Sequence, residues 1–324
     1  MAYLQLIILV PLATFAAVST AAALCLALAW STRGDPLTPV RARARAKRLL
    51  LWRLSPVVLG LLAAAVAVLA FLQHEPRATV ETPGPVVLAA ACVTVALTLL
   101  AGWRVMHRCR ITTRFLESVE CTATRVTLRG FPLAAWQVDT DFPLVAVVGI
   151  WRPRLLIARR VLERIPPDEL DVVLGHELAH AQQRDNIPRL FIAGLPDVIG
   201  LADRWLDIER AWEMAAEDAA DDLAAGDDVH ARTCLASALV RVAKMARSPG
   251  VPAVPLLAFH RGDSIERRVR RLLDRPDARS GSSCLPLAVI VAALMSGAVG
   301  AWLTADVVLL KAHHAIEWMV NVRR

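Results

Sequence analysis

Residues 172–186 read VVLGHELAHAQQRDN. Two histidines stand four apart, and a glutamate directly follows the first. On a helix, positions i and i+4 share a face, one turn apart. His176 and His180 are therefore placed to grip one metal ion between two imidazoles. Glu177 lies beside them, where a carboxylate can take a proton from water. The spacing is H-E-x-x-H, the pattern that sets zinc and a general base together for hydrolysis. An ordinary polar face on an amphipathic helix is the competing reading, and the surroundings argue against it. Pro166-Pro167-Asp168-Glu169 is a helix start, with proline in the first turn and acids at the positive dipole end. Leu170, Leu174, Leu178 and Ala181 recur at helical spacing and supply a buried stripe. Pro188 is expected to end the segment.

A catalytic zinc takes three protein ligands and keeps one open position. HELAH offers two, so a third must come from elsewhere. His230 and His260 lie downstream at no motif spacing. The stretch WEMAAEDAADD is richer: Glu213, Glu217 and Asp221 fall on one face of a predicted helix over Leu206–Ala225. Periodicity alone does not separate the two glutamates, and a solvated acidic stripe has the same pattern. Asp221, one turn after Glu217, could accept a hydrogen bond from a zinc-bound histidine, which favours Glu217. Alanines 215, 216, 219 and 220 permit a close approach to the HELAH helix.

These helices must be held by the rest of the chain, which is 56% hydrophobic over 324 residues. That exceeds the share usual in soluble domains. The excess falls in runs at about residues 3–30, 54–72, 84–103 and 285–303, each long enough to cross a hydrocarbon core of about 30 Å. The fold class expected is a mainly α membrane protein, with four transmembrane helices and an α+β peptidase domain between spans three and four. Three domains follow: spans one to three in 1–103, the peptidase domain in 104–283, and the fourth span with a short tail in 284–324. The start, MAYLQL, lacks the positive region of a signal peptide, so the first run is read as an uncleaved span.

The net charge of +7 is explained without nucleic acid. Arg41, Arg43, Arg45, Lys47 and Arg48 lie between spans one and two. Arg104, Arg108, Arg110 and Arg114 follow span three. Arg267, Arg268, Arg270 and Arg271 precede span four. The positive-inside rule then places the peptidase domain in the cytoplasm and both termini outside, with membrane lipids as contacts of the basic loops. Lys311, Arg323 and Arg324 in the tail run mildly against this. The six cysteines form no C-x-x-C pair and are expected as free thiols. Within the middle segment, Val145–Val148 and Leu155–Ile157 read as strands around a Gly149–Pro153 turn. Helices are expected at His230–Arg247 and Ser264–Leu273. The apolar piece Arg189–Leu201, broken by Pro196, is read as a packed core helix of the domain. No Ser-His-Asp arrangement, phosphate loop or aromatic-basic RNA motif competes for the chemistry.

The sequence resembles the BlaR/MecR-type membrane zinc metallopeptidases, the antirepressor peptidases of bacterial antibiotic sensing. HELAHAQQRDN (His176–Asn186), GIWRPRLLIA before it, the E-D-A-A-D run at Glu217–Asp221, IERRVRRLL (Ile265–Leu273) and the four-span layout carry the likeness. The resemblance implies a gluzincin-like fold, zinc held by His176, His180 and Glu217, catalysis by Glu177, and Asp221 orienting His176. It implies a protein substrate, such as a winged-helix repressor, and self-cleavage. The antibiotic-sensing members continue past the fourth span into a penicillin-binding domain. This sequence stops at Arg324 without an S-x-x-K motif, so that sensor is expected to be absent. Two other functions compete. One is an HtpX-like peptidase for membrane-protein quality control, and the other is a non-enzymatic scaffold. The intact ligands and Glu177 disfavour the scaffold.

Overall fold

The structure is a computed structural model, and it describes residues 2–33, 41–74, 83–120, 123–140, 142–196, 203–246, 262–274 and 314–315. Three helices begin the chain: α1 (Ala2–Arg33), α2 (Ala42–His74) and α3 (Pro85–Glu120). Each is long and apolar enough to cross a membrane. Their outward faces carry large apolar side chains such as Leu28, Leu62 and Leu99, as lipid-facing helices require. Small residues let them close up. A Cβ on Gly60 of α2 would stand 2.9 Å from Phe15 Cδ2 and Ser19 Cβ of α1, so the helices meet there because the position is glycine.

Two boundaries differ from the sequence reading. The basic stretch after span one is not a loop, because Ala42–Arg48 forms the first turns of α2. Nor does α3 stop near Trp103; it continues unbroken to Glu120. Arginine is a good helix former, so the change from apolar to basic residues marks the membrane edge without ending the helix. The fourth apolar run, at 285–303, lies outside the described residues, as do Cys121, Cys284 and His260. Cys25, Cys92, Cys109 and Cys234 are free.

A four-stranded sheet follows: β1 (Thr124–Val126), β2 (Ala135–Val138), β3 (Val145–Val148) and β4 (Arg154–Ala158). The order is β1-β2-β4-β3, which leaves β3 at an edge. β2 pairs parallel with β4, and β3 pairs antiparallel with it, Ala146 opposite Leu156. Leu155, Leu156, Ile157 and Ala158 are all buried, the mark of a strand covered on both faces. The β3–β4 turn holds Gly149 at φ +97°, and a Cβ there would meet Arg152 O at 2.9 Å. Only glycine turns the chain so sharply.

The remaining helices are α4 (Arg159–Arg164), α5 (Pro167–Gln183), α6 (Asn186–Ala193), α7 (Asp203–Ala225), α8 (Val229–Ala246) and α9 (Gly262–Leu273). α5 carries the HELAH motif. Its first turn is tied to α8 by Glu169, which accepts from Ser237 Oγ at 2.8 Å and pairs with Arg241 at 2.9 Å. Helix α7 sits on the membrane helices: Ala211, Trp212, Ala215 and Ala216 form one buried cluster with Leu49 of α2. Buried Arg53 of α2 pairs with Glu209 of α7 at 2.9 Å. Leu195, just past α6, packs with Phe15 of α1 and Val57 of α2. The described part of that segment, 189–196, is thus wedged between domain and spans rather than packed inside the domain, and 197–201 lie outside the described residues.

Candidate metal centre

α5 does not end at Pro188. It ends at Arg184, which adopts a left-handed conformation (φ 55°, ψ 41°), and Pro188 falls in the first turn of α6. A non-glycine residue there costs about 1–2 kcal/mol per residue. The bend turns the next two side chains back to the motif. Asp185, itself buried, brings Oδ2 to 2.7 Å from His180 Nδ1. Asn186 Nδ2 donates to Val147 O at 3.3 Å and Gly149 O at 3.0 Å, clasping the β3 edge. The R-D-N step therefore ends a helix, orients a histidine and fixes a strand.

α7 brings up the acidic side chains, with Ala215, Ala216, Ala219 and Ala220 buried between the helices. His176 Nε2 and His180 Nε2 stand 3.1 Å apart. Glu217 closes the triangle, Oε2 at 3.5 Å from His176 Nε2 and Oε1 at 3.6 Å from His180 Nε2. Among the described residues, this is the group that could hold a metal ion. Glu213, one turn earlier, is exposed. Asp221 is fully buried, and its Oδ1 lies 2.9 Å from His176 Nδ1. Asp185 hydrogen-bonds His180 Nδ1, and Asp221 lies against His176 Nδ1 without hydrogen-bond alignment; a carboxylate beside each Nδ1 biases both rings toward the tautomer with a lone pair on Nε2. Those lone pairs converge on one point, and Glu217 Oε2 is buried with no aligned hydrogen-bond donor. A cation between the three groups satisfies all of them, so the donor set fits a metal.

The electrostatics agree. Burial opposes protonation of His180, yet the Glu217 charge and the Asp185 hydrogen bond raise its pKa to about 10. His176 is raised against the same penalty, chiefly by Asp221 and Glu217. Burial alone would push Glu217 up, but His180, His176 and Arg268 hold it well below the usual carboxylate range. Without a metal, His180 holds a proton at neutral pH.

Arg268 of α9 has a larger role than its basic helix indicated. It is buried; its Nε and Nη2 reach Asp221 at 2.9 and 2.6 Å, and Nη1 lies 3.1 Å from Glu217 Oε2. Arg267 pairs with Asp218 at 2.9 Å, and Arg271 pairs with Asp222. α9 is thus pinned along the acidic side of α7, and one of its arginines braces both the candidate ligand Glu217 and its neighbour Asp221. Neither Asp185 nor Arg268 had been assigned a role from sequence, although both lie in the stretches that carry the family likeness.

Glu177 faces the sheet. The Val147 N–H of β3 donates to its Oε2 at 2.9 Å. A small cleft of about 70 Å³ opens alongside, lined by Pro143, Val145, His176, Glu177, Leu239 and Arg268 among others.

Membrane-length helices and a buried, convergent His-His-Glu cluster together describe a membrane-embedded metallopeptidase. The model of the family described as BlaR1 peptidase M56 matches residues 86–272, and the chain belongs to this family of membrane peptidases. No curated protein and no solved structure matches the chain.

Proposed function

We propose that the protein is an integral-membrane zinc endopeptidase that cleaves a cytoplasmic protein, a transcriptional repressor of the winged-helix type, and also itself. The observation that carries this reading is the triangle of His176, His180 and Glu217 with Glu177 beside it. The two Nε2 atoms stand 3.1 Å apart, and the carboxylate of Glu217 offers one oxygen at 3.5 Å from His176 and the other at 3.6 Å from His180, spacings a small cation can bridge. Two ligands at about 2.0–2.1 Å from a tetrahedral centre lie about 3.3 Å apart.

When bound, zinc supplies Lewis acidity, lowering the pKa of water toward 7 and polarising a carbonyl. Glu177 accepts the water's proton and passes it to the leaving amine. Val147 N–H anchors one carboxylate oxygen and leaves the other to carry the proton. Asp185 and Asp221 hold the two imidazoles in register, and Arg268 keeps Glu217 and Asp221 in place. A substrate side chain can enter the cleft beside Glu177, whose walls include Pro143, Val145 and Leu239.

Charge supports the cytoplasmic side of the membrane. Leu49 closes the basic stretch 41–48 and packs against Ala215 and Ala216 of the ligand-bearing helix. The site therefore lies at the basic ends of the spans, which the positive-inside rule assigns to the cytoplasm. A fourth span at 285–303 would put both termini outside.

Quantitative proteomics of cells carrying wild-type or Glu177→Gln protein tests the proposal. Full-length accumulation of one or a few soluble DNA-binding proteins, together with uncleaved peptidase, is the expected result. Broad accumulation of damaged membrane proteins would point instead to quality control. Identical proteomes would remove the proteolytic reading.

A further inference from the structure

A cavity of about 750 Å³ lies away from the metal cluster, where the three long helices meet the domain. Leu12 of α1, Leu61 of α2, Thr98 and Val105 of α3, Trp151 of the β3–β4 turn and Phe191 of α6 are among its walls. Nothing in the proteolytic mechanism uses it.

Its chemistry defines the occupant. The threonine hydroxyls in its wall are already engaged, Thr94 donating to Leu12 O and Thr98 to Thr94 O, both at 2.8 Å. Apart from the indole N–H of Trp151, which is exposed at the rim, the side chains of the wall offer no free donor to a polar ligand, and the interior suits hydrocarbon. An extended peptide would bring backbone N–H and C=O groups that could find no partner there.

Its depth narrows the choice further. Along α3 the wall runs from Thr94 to Val105. At 1.5 Å per residue that is about 16 Å, half of a hydrocarbon core of about 30 Å. One leaflet, and hence one acyl chain, has this length.

The end near Val105 is basic. Arg104 Nη2 donates to the carbonyl of the wall residue Leu195 at 3.1 Å, which fixes the guanidinium at the cavity's margin. Its Nε is buried with no hydrogen-bond partner among the described residues. Trp151 is 93% exposed and stands next to Arg152, the aromatic-plus-basic pairing found at headgroup depth.

We propose that this cavity is a binding site for one acyl chain of an anionic phospholipid, with the phosphate group held at Arg104. The chain would lie against α6, whose preceding residue Asp185 braces His180 and whose first residue Asn186 braces β3. The proposal does not depend on the identity of the metal or on proteolysis.

The full-length protein, reconstituted into phosphatidylglycerol or phosphatidylcholine bilayers, can be photolabelled with the matching phospholipid carrying a diazirine on its acyl chain. Mass spectrometry then maps the sites. The proposal expects label on Thr98–Val105 and Leu190–Gly194, stronger with phosphatidylglycerol by at least tenfold. Ala64→Phe, which fills the cavity from α2, should remove that label and leave the label at lipid-facing Leu62 and Leu99 unchanged. Arg104→Ala should keep the label and lose the headgroup preference. Label confined to the outer faces of the spans in wild-type protein would overturn the proposal without any variant. So would equal cavity labelling by the two lipids, or cavity labelling that survives Ala64→Phe.

Discussion

Replacing Asp185 by alanine tests how the site competes with protons for its metal. In the metal-free protein His180 stands at about 10, raised by Glu217 and by the Asp185 hydrogen bond. At pH 7 a metal must displace that proton. Three units at 1.36 kcal/mol each amount to about 4 kcal/mol, or about a thousandfold in apparent affinity. Asp185→Ala acts in two opposing ways. It removes the group that orients the imidazole and makes it a better ligand, which costs about 10–100-fold in metal affinity. It also lowers the His180 pKa, which reduces proton competition. Near pH 7 the second effect offsets part of the first, and above pH 10 it disappears. The affinity gap between wild type and variant should therefore widen as pH rises from 7 to 10. Competition titrations against a chelator of known pH behaviour measure it. Wild-type affinity should climb close to tenfold per pH unit through this range, and the variant should level off earlier. A wild-type plateau near pH 6.5, or a gap that narrows with pH, would refute the reasoning.

Three further outcomes follow. Glu177→Gln keeps the shape of the side chain and should retain metal while losing about 10²–10⁴ in cleavage rate, as the loss of a general base implies. Single-turnover cleavage by metal-loaded protein checks this. Arg268→Met leaves Asp221 buried with only His176 as a counter-charge, and breaking such a pair costs about 3–5 kcal/mol. The metal-free unfolding midpoint should fall by about 2–4 °C for each kcal/mol lost, read by tryptophan fluorescence. The metal-free stability should also depend on pH. The folded-state pKa of His180 lies above its ordinary 6.5, so its contribution is complete below pH 6.5 and is lost as pH rises through about 10. Melting across that range should show a fall that zinc reverses, whereas a flat profile would remove the raised histidine from the account.

The HELAH helix was legible because its signals are local. Proline in its first turn, acids near its start and histidines at i and i+4 all act within one element. Strands β3 and β4 were legible from β-rich runs around a turn. β1 and β2 were not: TRV and AWQV are too short to show a period, and pairing across the sheet sustains them. Glu217 could be chosen over Glu213 through Asp221, one turn on, and the structure turns the first to the histidines, largely shielded, while exposing the second. Asp185 was hidden because its role depends on left-handed backbone at Arg184, a conformation no glycine announced. Arg268 was hidden because its partners Glu217 and Asp221 lie about fifty residues away, and a run of arginines before a span reads as membrane-side charge. The seating of α7 on α2 was equally long-range. Sequence alone divides span from domain at residue 103, whereas Leu49, Ala211 and Trp212 share one buried cluster.

Metal analysis of purified wild-type, Glu213→Ala and Glu217→Ala proteins tests the central claim most directly. The account predicts one zinc per chain in the wild type and in Glu213→Ala, and none bound stoichiometrically in Glu217→Ala. Zinc retained by Glu217→Ala, or lost with Glu213→Ala, would contradict it.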